Sequence, residues 1–391
     1  MVNQQRVLAF AFLTVFLDLV GFGIIIPLLP LYVKSMGGTA ETVGFILSSF
    51  ALTQLLATPV LGRISDRVGR RPVILLSLAG NAASMALFAF ATKFSLLPLL
   101  FVSRIMAGAT AGNLSACQAA VADVTKAEDR AKGMGRIGAG IGLGMVLGPV
   151  LGSTVSQLGV WAPPLAASAL ALADLIGAFF LMPETKTARA PAAPSSPSPR
   201  PSRAALGAAP GIFVVFALYF LTFLYMSSVN VTLPLLTNAR LAWTEREIGH
   251  VFGLFGLSML IIQGGLIGRL TRAWGSRRLV IAGSMTTMVG LMLVAMTHTV
   301  APVIAGLVML GVGLGVIHPS LSTLASEFAG QERQGTVLGF AQSAGGLART
   351  IGPTLAGILY ARIGPSAPFT CGAGAALLSI LLGSALRRTA S

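Results

Sequence analysis

Three ionisable side chains lie within long apolar stretches of the sequence, where little water is expected to stabilise their charges. Asp18, Arg104 and Asp174 are each at least ten residues from the next charged residue in the chain. A carboxyl group in such a setting takes up or releases a proton when a cation approaches or withdraws. The pattern therefore indicates proton-transfer chemistry at Asp18 and Asp174; a permanent ion pair or a packing contact is the alternative.

The composition identifies the elements that must position these residues. Of 391 residues, 54% are hydrophobic and 10% charged, with a mean hydropathy of +0.83, whereas about 25% are charged in a soluble domain. Most apolar residues must therefore face lipid or pack inside a membrane. We predict an all-α integral membrane protein with 12 transmembrane helices. The predicted spans are residues 7–30, 42–61, 73–92, 95–121, 134–158, 162–182, 211–236, 248–267, 279–297, 301–325, 336–359 and 366–386.

The spans divide into two bundles of six, residues 1–185 and 211–391. Residues 186–210 are rich in Pro, Ala and Ser and are predicted to form a disordered cytoplasmic linker. With the N-terminus inside the cell, 20 of the 27 Lys and Arg residues fall on the cytoplasmic side and five on the other, and Arg104 and Arg349 lie within spans. Basic loops are retained in the cytoplasm. We therefore expect a multi-pass protein of the inner (plasma) membrane with both termini cytoplasmic, a monomer surrounded by membrane lipids.

Counting residues along the spans predicts the depth of the ionisable groups. Asp18 is about 18 Å from the cytoplasmic edge, and Arg104 lies about nine residues in from the opposite edge. The two can meet near the middle of the membrane, and we expect their contact to change as a proton binds and leaves. Asp174 lies at a similar depth as a second proton or cation site. Arg349 could bind an anionic substrate or pair with an acid across a cavity, and His318 is expected to be a neutral histidine near a helix end.

Other polar or aromatic residues of the spans are candidates for contact with a small-molecule substrate. They are Gln54, Asn113, Gln118, Tyr225, Asn230, Gln263 and Gln342, together with Arg349.

A charged, glycine-containing segment joins spans 2 and 3. We call Gly62–Arg71 the gating segment, and its candidate functional residues are Gly62, Asp66, Arg67, Gly69, Arg70 and Arg71. Asp66 precedes span 3, where its charge would favour the helix N-terminus. Arg333, or the start of span 11, is a plausible partner for Asp66 across the two halves. We predict a latch that breaks when the protein changes state; a solvated, positively charged loop is the alternative.

Span 5 carries glycines at intervals of four residues. Gly140, Gly144, Gly148 and Gly152 fall on one face, which lets a neighbouring backbone approach closely, and Pro149 removes a backbone donor. The functional interpretation is a sealed seam that prevents leakage. Ordinary packing of small residues would produce the same pattern.

The two halves of the chain resemble each other. The gating segment recurs in weaker form at residues 268–278, and Asp129-Arg130 before Gly148-Pro149 is matched by Glu332-Arg333 before Gly352-Pro353. The offsets are 206, 203 and 204 residues. Parallel six-helix repeats of this kind place a binding site at the middle of the membrane, open alternately to either side. The repeat therefore points to a transporter.

These motifs carry a family resemblance that covers nearly the whole chain. Gly62–Arg71 fits the G-x-x-x-D-R-x-G-R-R signature of the major facilitator superfamily. Leu17–Pro30, Arg104–Gly108 and Gly140–Gly152 further resemble the twelve-helix drug/proton antiporters, and among them the tetracycline-exporter-like branch. The resemblance implies the fold of that superfamily, proton-coupled multidrug or tetracycline-like efflux, and a place for Arg104 in the proton path.

The sequence departs from the tetracycline-exporter pattern at three places. The histidine of span 8 and the early aspartate of span 9 have no counterpart in residues 252–263 or 281–288, and Asp174 is an acid that the branch does not lead us to expect. The resemblance therefore leaves tetracycline itself open as a substrate.

We predict a proton-coupled secondary active transporter that exports small amphipathic or drug-like molecules by alternating access. The alternative is a proton symporter or facilitator of the same fold that imports a sugar or an organic acid. An enzyme is not indicated, because His250, His298 and His318 are scattered, and no cofactor or metal is expected, because Cys117 and Cys371 lie in apolar runs. Nucleic-acid binding is not indicated either, and without a P-loop the proton gradient is the expected energy source.

Overall fold

The computed structural model describes residues 4–126, 129–185, 210–329 and 334–386, and its ordered elements in these ranges are all helices. The predicted linker, apart from Pro210, lies outside the described residues. The first six spans are Gln4–Ile25 with Leu29–Ser35, Ala40–Val68, Arg70–Lys93, Leu97–Ala109 with Asn113–Val124, Arg130–Val155, and Ala162–Leu181. The second six are Pro210–Leu241, Glu245–Ile261 with Ile267–Trp274, Ser276–Ala295, Val300–Ala329, Gln334–Arg362, and Ala367–Ala385.

The helices confirm the predicted all-α membrane fold. In the described ranges, 11 helical segments are long and apolar enough to cross a membrane. The remaining one, span 11, has 29 residues but a lower apolar content, because Arg349 and several glycines and polar residues interrupt it. Most helices extend several residues beyond the predicted spans, because hydropathy marks the lipid-facing part and helical hydrogen bonds continue into water.

Three spans contain breaks that sequence periodicity does not reveal. Span 1 breaks before Leu29–Ser35, where Pro27 lacks a backbone donor and Pro30 lies in the first turn of the second piece. Span 4 breaks over residues 110–112, and span 8 contains a π-helix at Ile262–Leu266. Such π-helical turns occur often at functional sites.

The two halves repeat the same contacts. Span 1 packs on span 5, and span 7 packs on span 11 in the equivalent way. Thr39 begins span 2 and Thr244 begins span 8, each with a capping box. Arg71 donates to the carbonyl of Phe179 at 2.5 Å, as Arg277 donates to that of Gly383 at 2.9 Å. The internal repeat is therefore visible in individual hydrogen bonds.

The halves meet along two helix pairs, span 2 with span 11 and span 5 with span 8. At the end of the molecule away from the gating segment, Arg362 binds Glu41 at 2.8 Å and Lys34 binds Asn238 at 2.7 Å. Deeper along the same seam, Thr354 donates to Ser48 at 2.8 Å. These bonds close that end of the molecule.

The other end, which we call the arginine-rich side, is open. Cβ atoms added at Gly62 of span 2, Gly138 of span 5, Gly264 of span 8 or Gly339 of span 11 would meet no neighbouring heavy atom of the described structure within 4 Å. The four helices that join the halves at one end therefore separate at the other. The structure is a conformation open to the arginine-rich side.

Candidate functional site

A cavity in the first half brings together four of the predicted site residues. Asp18, Gln54, Arg104 and Asn113 line it. Its wall also includes Thr110 and Ala111, which belong to the break in span 4. Because the break leaves these backbone groups outside a regular helix, span 4 presents both its polar backbone and Asn113 to the cavity.

Asp18 is held by a neutral hydrogen-bond donor. The amide of Asn81, from span 3, donates to the Asp18 carboxyl at 2.8 Å, and Asn113 lies beside the same group. No ion pair to Asp18 occurs among the described residues. The carboxyl therefore lies at mid-depth in the membrane without a cation in contact.

Arg104 lines the same cavity and is 4% exposed. Its guanidinium carbon lies 4.7 Å from the centre of the Phe88 ring, and Nη2 donates to the sulfur of Met85 at 3.4 Å. Nε has no hydrogen-bond partner in the described part of the chain. A buried cation held only by an aromatic ring and a thioether is under-satisfied, so it remains available to a carboxylate that comes within reach.

Asp174 lies outside this cavity, between spans 6 and 1. It is 3% exposed, and Thr14 donates to its Oδ1 at 3.1 Å. Its Oδ2 is buried with no partner among the described residues. Thr14 and Asp18 are one helical turn apart and lie on the same face of span 1. Asp174, bonded to Thr14, is therefore a neighbour of Asp18.

The other predicted substrate contacts are dispersed. Tyr225 is 1% exposed within the core of the second half, where its hydroxyl donates to Thr222 at 3.3 Å. Gln118 and Gln342 are exposed, whereas Asn230 and Gln263 are half-buried, the latter in the π-helix of span 8. None of these five residues lines the cavity that contains Asp18.

Arg349 and His318 both lie against the aromatic ring of Phe223. The guanidinium carbon of Arg349 is 4.5 Å from the ring centre of Phe223, and the His318 ring stacks on the same ring at 5.3 Å. His318 therefore packs within span 10 against span 7 rather than at a helix end.

The gating segment is more helical than predicted. Residues up to Val68 continue span 2, Arg70 begins span 3, and only Gly69 lies between them. Gly69 has a φ of 114°, a backbone conformation that favours glycine. The interpretation of the segment as a loop was therefore wrong in extent, although a sharp reversal does occur within it.

Acids of two helices and of the segment after span 6 surround Arg70. Its side chain donates to Asp66 at 2.5 Å and to Asp123 at 2.9 Å. Glu184 accepts from the backbone N–H groups of Arg70 and Arg71 at 2.9 and 3.2 Å. Glu184, rather than Asp66, thus stabilises the N-terminus of span 3. Asp66 remains 66% exposed, and its proposed partner Arg333 lies outside the described residues.

The glycine face of span 5 packs against span 1 at backbone distance. A Cβ atom at Gly144 would lie 2.9 Å from the Phe16 carbonyl oxygen, and one at Gly148 would lie 2.7 Å from the Cα of Gly23. Gly140 and Gly152 make similar approaches, to Phe12 and Ile24. The close approach predicted from the spacing is therefore present, along with Pro149 inside the helix.

Sequence reasoning missed three contributors to the site. Asn81 is a lone amide twelve residues into an apolar span, which is itself a signal of a polar partner. Asp123 and Glu184 are acids at helix ends on the arginine-rich side, where surplus basic residues predict ion pairs. In the described ranges, no cluster of three or more His, Cys, Asp or Glu side chains could hold a metal ion.

Comparisons with known proteins agree with this architecture. The sequence model of the Major Facilitator Superfamily matches residues 11–218 and 215–390. The tetracycline resistance protein, class E, of Escherichia coli is 33% identical over 91% of this chain and 88% of its own length. Multidrug resistance protein 2 of Bacillus subtilis is 27% identical over 92% of this chain and 90% of its own length.

A solved structure has the same overall fold. The human organic anion transporter MFSD10 (TETRAN) superposes with a TM-score of 0.73 at 29% identity, covering 98% of this chain and 100% of its own. The match of the family's sequence model along almost the whole chain, together with the 33% identical relative, shows that this protein belongs to the major facilitator superfamily and is a transporter of small molecules rather than an enzyme.

Proposed function

We propose that the protein is a proton-coupled exporter of small amphipathic or drug-like molecules that works by alternating access. One observation carries the proposal: Asp18 and Arg104 line a single cavity at mid-depth without forming an ion pair. A carboxyl group and a guanidinium that share a cavity without an ion pair can form one in another conformation. A permanent ion pair could not form and break during the cycle.

Proton binding at Asp18 would follow the position of Arg104. A guanidinium beside the carboxylate favours the charged form, and separation of the two groups in an apolar cavity favours the neutral form. In the conformation open to the arginine-rich side, Asp18 has no cation in contact, which suits a protonated carboxyl, and its Oδ1 can still accept from Asn81. Substrate entry then brings the cation to Asp18, the proton leaves to the arginine-rich side, and the protein closes around the substrate.

The gating segment acts as a latch in this scheme. In the open state Asp66 is largely exposed and bound to Arg70 of its own half. When the arginine-rich side closes, the start of span 11 approaches span 2, and Asp66 can accept new bonds from it. Arg70, Asp123 and Glu184 hold the segment in position.

The glycine face of span 5 acts as a seal. The backbones of spans 1 and 5 are in direct contact along this face. No space remains between them for water or protons to pass. Asp174 in span 6 serves as a second protonation site, bonded to Thr14, which lies one helical turn from Asp18 in span 1.

We also propose the orientation and organisation of the chain in the membrane. The excess of basic residues on one side supports cytoplasmic termini and an inner-membrane protein, for which the arginine-rich side is the cytoplasmic side. Residues 1–185 and 211–391 form the two bundles, and 186–210 the linker between them. A single copy surrounded by lipid is sufficient, because both halves of the pathway come from one chain.

The second candidate is a proton symporter or facilitator that imports a sugar or an organic acid. The same fold supports it, because a fold does not determine function. The glycine and proline pattern of span 5 and the drug-resistance relatives favour export.

Proteoliposomes with an imposed pH gradient test the proposal. A pH-sensitive dye reports proton flux when lipophilic cations, tetracyclines, aromatic anions and neutral drugs are added one at a time. A compound that releases protons down the gradient, with no release in empty liposomes, supports antiport. Proton movement in the same direction as the added compound would instead support the symporter, and uptake without proton movement the facilitator.

A further inference from the structure

We propose that Arg349, Phe223 and His318 form a binding site in the second half for the anionic group of an aromatic substrate. The inference rests on the proposed function, because it names the class of molecule that the transporter would carry. The ligand is a planar aromatic acid, bound by its carboxylate or sulfonate to Arg349.

Three helices bring the cluster together at mid-depth. Phe223 is in span 7, His318 in span 10 and Arg349 in span 11. Arg349 is about 22 Å along its helix from the arginine-rich end, and His318 about 17 Å from the same end of span 10. The cluster therefore lies at the level where the substrate of a two-bundle transporter is bound.

The charge of Arg349 has no internal partner. Among the described residues, no carboxylate lies within ion-pair distance of it. The described acids of the second half, Glu245, Glu247 and Glu327, lie in the first turn of span 8 and near the end of span 10. A cation at this depth is costly, and an anion supplied by a ligand would offset that cost.

His318 adds a second polar group without a partner. Its Nε2 is buried and makes no hydrogen bond in the described structure. The imidazole stacks on Phe223, and the guanidinium of Arg349 contacts the same ring. The cluster thus offers two polar groups for an anion beside a half-buried aromatic ring.

The cluster faces the boundary between the halves. A Cβ atom at Gly346 would lie 2.9 Å from Leu55 of span 2 and 3.8 Å from Nη2 of Arg349, so the guanidinium lies close to the first half. Arg349, His318 and Phe223 are each partly exposed. A ligand that enters between the halves can therefore reach the guanidinium.

Among the described residues, Arg104 is a second cation at mid-depth without an ion pair, but it is a poorer anion site. It is almost fully buried and shares its cavity with Asp18, whose charged form would repel an anion. The two halves would therefore have different roles. Asp18 and Arg104 of the first half bind and release the proton, and Arg349 of the second half binds the substrate.

Equilibrium binding to the full-length protein in lipid nanodiscs tests the site without any proton gradient. The probes are radiolabelled 2-naphthoate and 2-naphthamide, which have nearly the same shape but differ in charge. We expect the wild type to bind the carboxylate about tenfold or more tightly than the amide, because a charge-assisted bond is lost with the amide. Arg349→Gln should remove this preference, Arg349→Lys should keep part of it, and the matched control Arg246→Gln, an exposed arginine, should keep all of it.

Equal binding of the two probes by the wild type, or binding of neither, would overturn the proposal. So would an Arg349→Gln protein that still prefers the carboxylate. Because the assay needs no coupling, a protein that binds 2-naphthoate through Arg349 but fails the proton-flux test would refute the exporter and leave this site standing.

Discussion

At the scale of single residues, the first half holds a half-buried acid, a buried acid and a buried arginine that are not paired with each other. Asp18 is hydrogen-bonded to Asn81, Asp174 to Thr14, and Arg104 lies against Phe88. A protein that used these charges only for stability would pair them, because an unpaired charge is costly in a membrane. Because these charged groups are separate in this conformation, an ion pair between them can form in another one.

Arg104→Gln should separate stability from activity. Losing one partner of a buried ion pair costs about 3–5 kcal/mol. Arg104 has no such partner in the described structure, so the free energy of unfolding should change by about 2 kcal/mol, the value of a desolvated cation–aromatic contact such as that with Phe88. Substrate-triggered proton flux should fall to background. Thermal unfolding in detergent and flux in proteoliposomes measure the two effects.

Arg246→Gln removes the same charge from an exposed position and serves as the control. Strong destabilisation by Arg104→Gln, together with flux that scales with the amount of folded protein, would indicate a structural arginine.

Asp174→Asn tests the second protonation site. The amide keeps an oxygen that can accept from Thr14, so the protein should fold normally, but the residue can no longer exchange a proton. If Asp174 carries one of two protons, the number of protons moved per substrate should fall by about one while transport continues. The ratio is obtained from the pH gradient that exactly balances a known substrate gradient. Thr14→Val, which keeps the acid, should retain the wild-type ratio; an unchanged ratio in Asp174→Asn would assign Asp174 to packing.

At the scale of elements, the close contact between spans 1 and 5 depends on glycines, which have no side chain to hold the two backbones apart. Gly148→Ala would place a methyl group 2.7 Å from Gly23 Cα, so the two backbones must move apart. Such overpacking costs about 1–3 kcal/mol. We expect a lower unfolding temperature and a faster passive leak of protons through liposomes that contain the variant.

Gly138→Ala is the matched control, because Gly138 is in the same helix and its added Cβ would meet no neighbour within 4 Å. The control should behave like the wild type. A Gly148→Ala protein without leak would leave the glycine face as a packing feature and remove its role as a seal.

The elements also show how far the sequence predicts the structure. The sequence predicts all twelve spans, because an apolar stretch of about 20 residues is typical of a membrane-spanning helix. The breaks in spans 1 and 4 and the π-helix of span 8 are not predicted, because hydropathy does not report local hydrogen bonding. The sequence predicts Asp18 and Arg104 by residue type and depth, and Gln54 and Asn113 as polar residues of the spans. The partners of Asn81 and Glu184 depend on contacts between segments distant in sequence.

At the scale of the whole molecule, the structure represents one state of a cycle. The end away from the gating segment is closed by Arg362 with Glu41, Lys34 with Asn238, and a seam in which Gly44 contacts Pro353. The arginine-rich side is open. Two six-helix halves that meet mainly along two helix pairs can rock about them, which is the motion that alternating access requires.

Gly44→Ala should shift the molecule toward the opposite opening. A Cβ atom there would lie 2.5 Å from the Pro353 carbonyl oxygen, across the closed seam. In a variant with Cys117→Ser, Cys371→Ser and Ser48→Cys, a membrane-impermeant maleimide applied from the closed side should label residue 48 several times faster once Gly44→Ala is added. Gly62→Ala, in the same helix but without a neighbour within 4 Å, should leave the rate unchanged. Equal rates in both variants would mean that the seam tolerates the methyl group without opening.

In the proposed cycle Asp18 couples the proton to the substrate, and a counterflow assay measures this coupling. Proteoliposomes are loaded with an unlabelled substrate found in the flux screen, and uptake of the labelled substrate is followed with and without a pH gradient. We predict that Asp18→Asn exchanges substrate across the membrane about as fast as the wild type but no longer accumulates it against its gradient when the pH gradient is imposed. Accumulation by Asp18→Asn that equals that of the wild type would show that Asp18 does not couple the proton to the substrate.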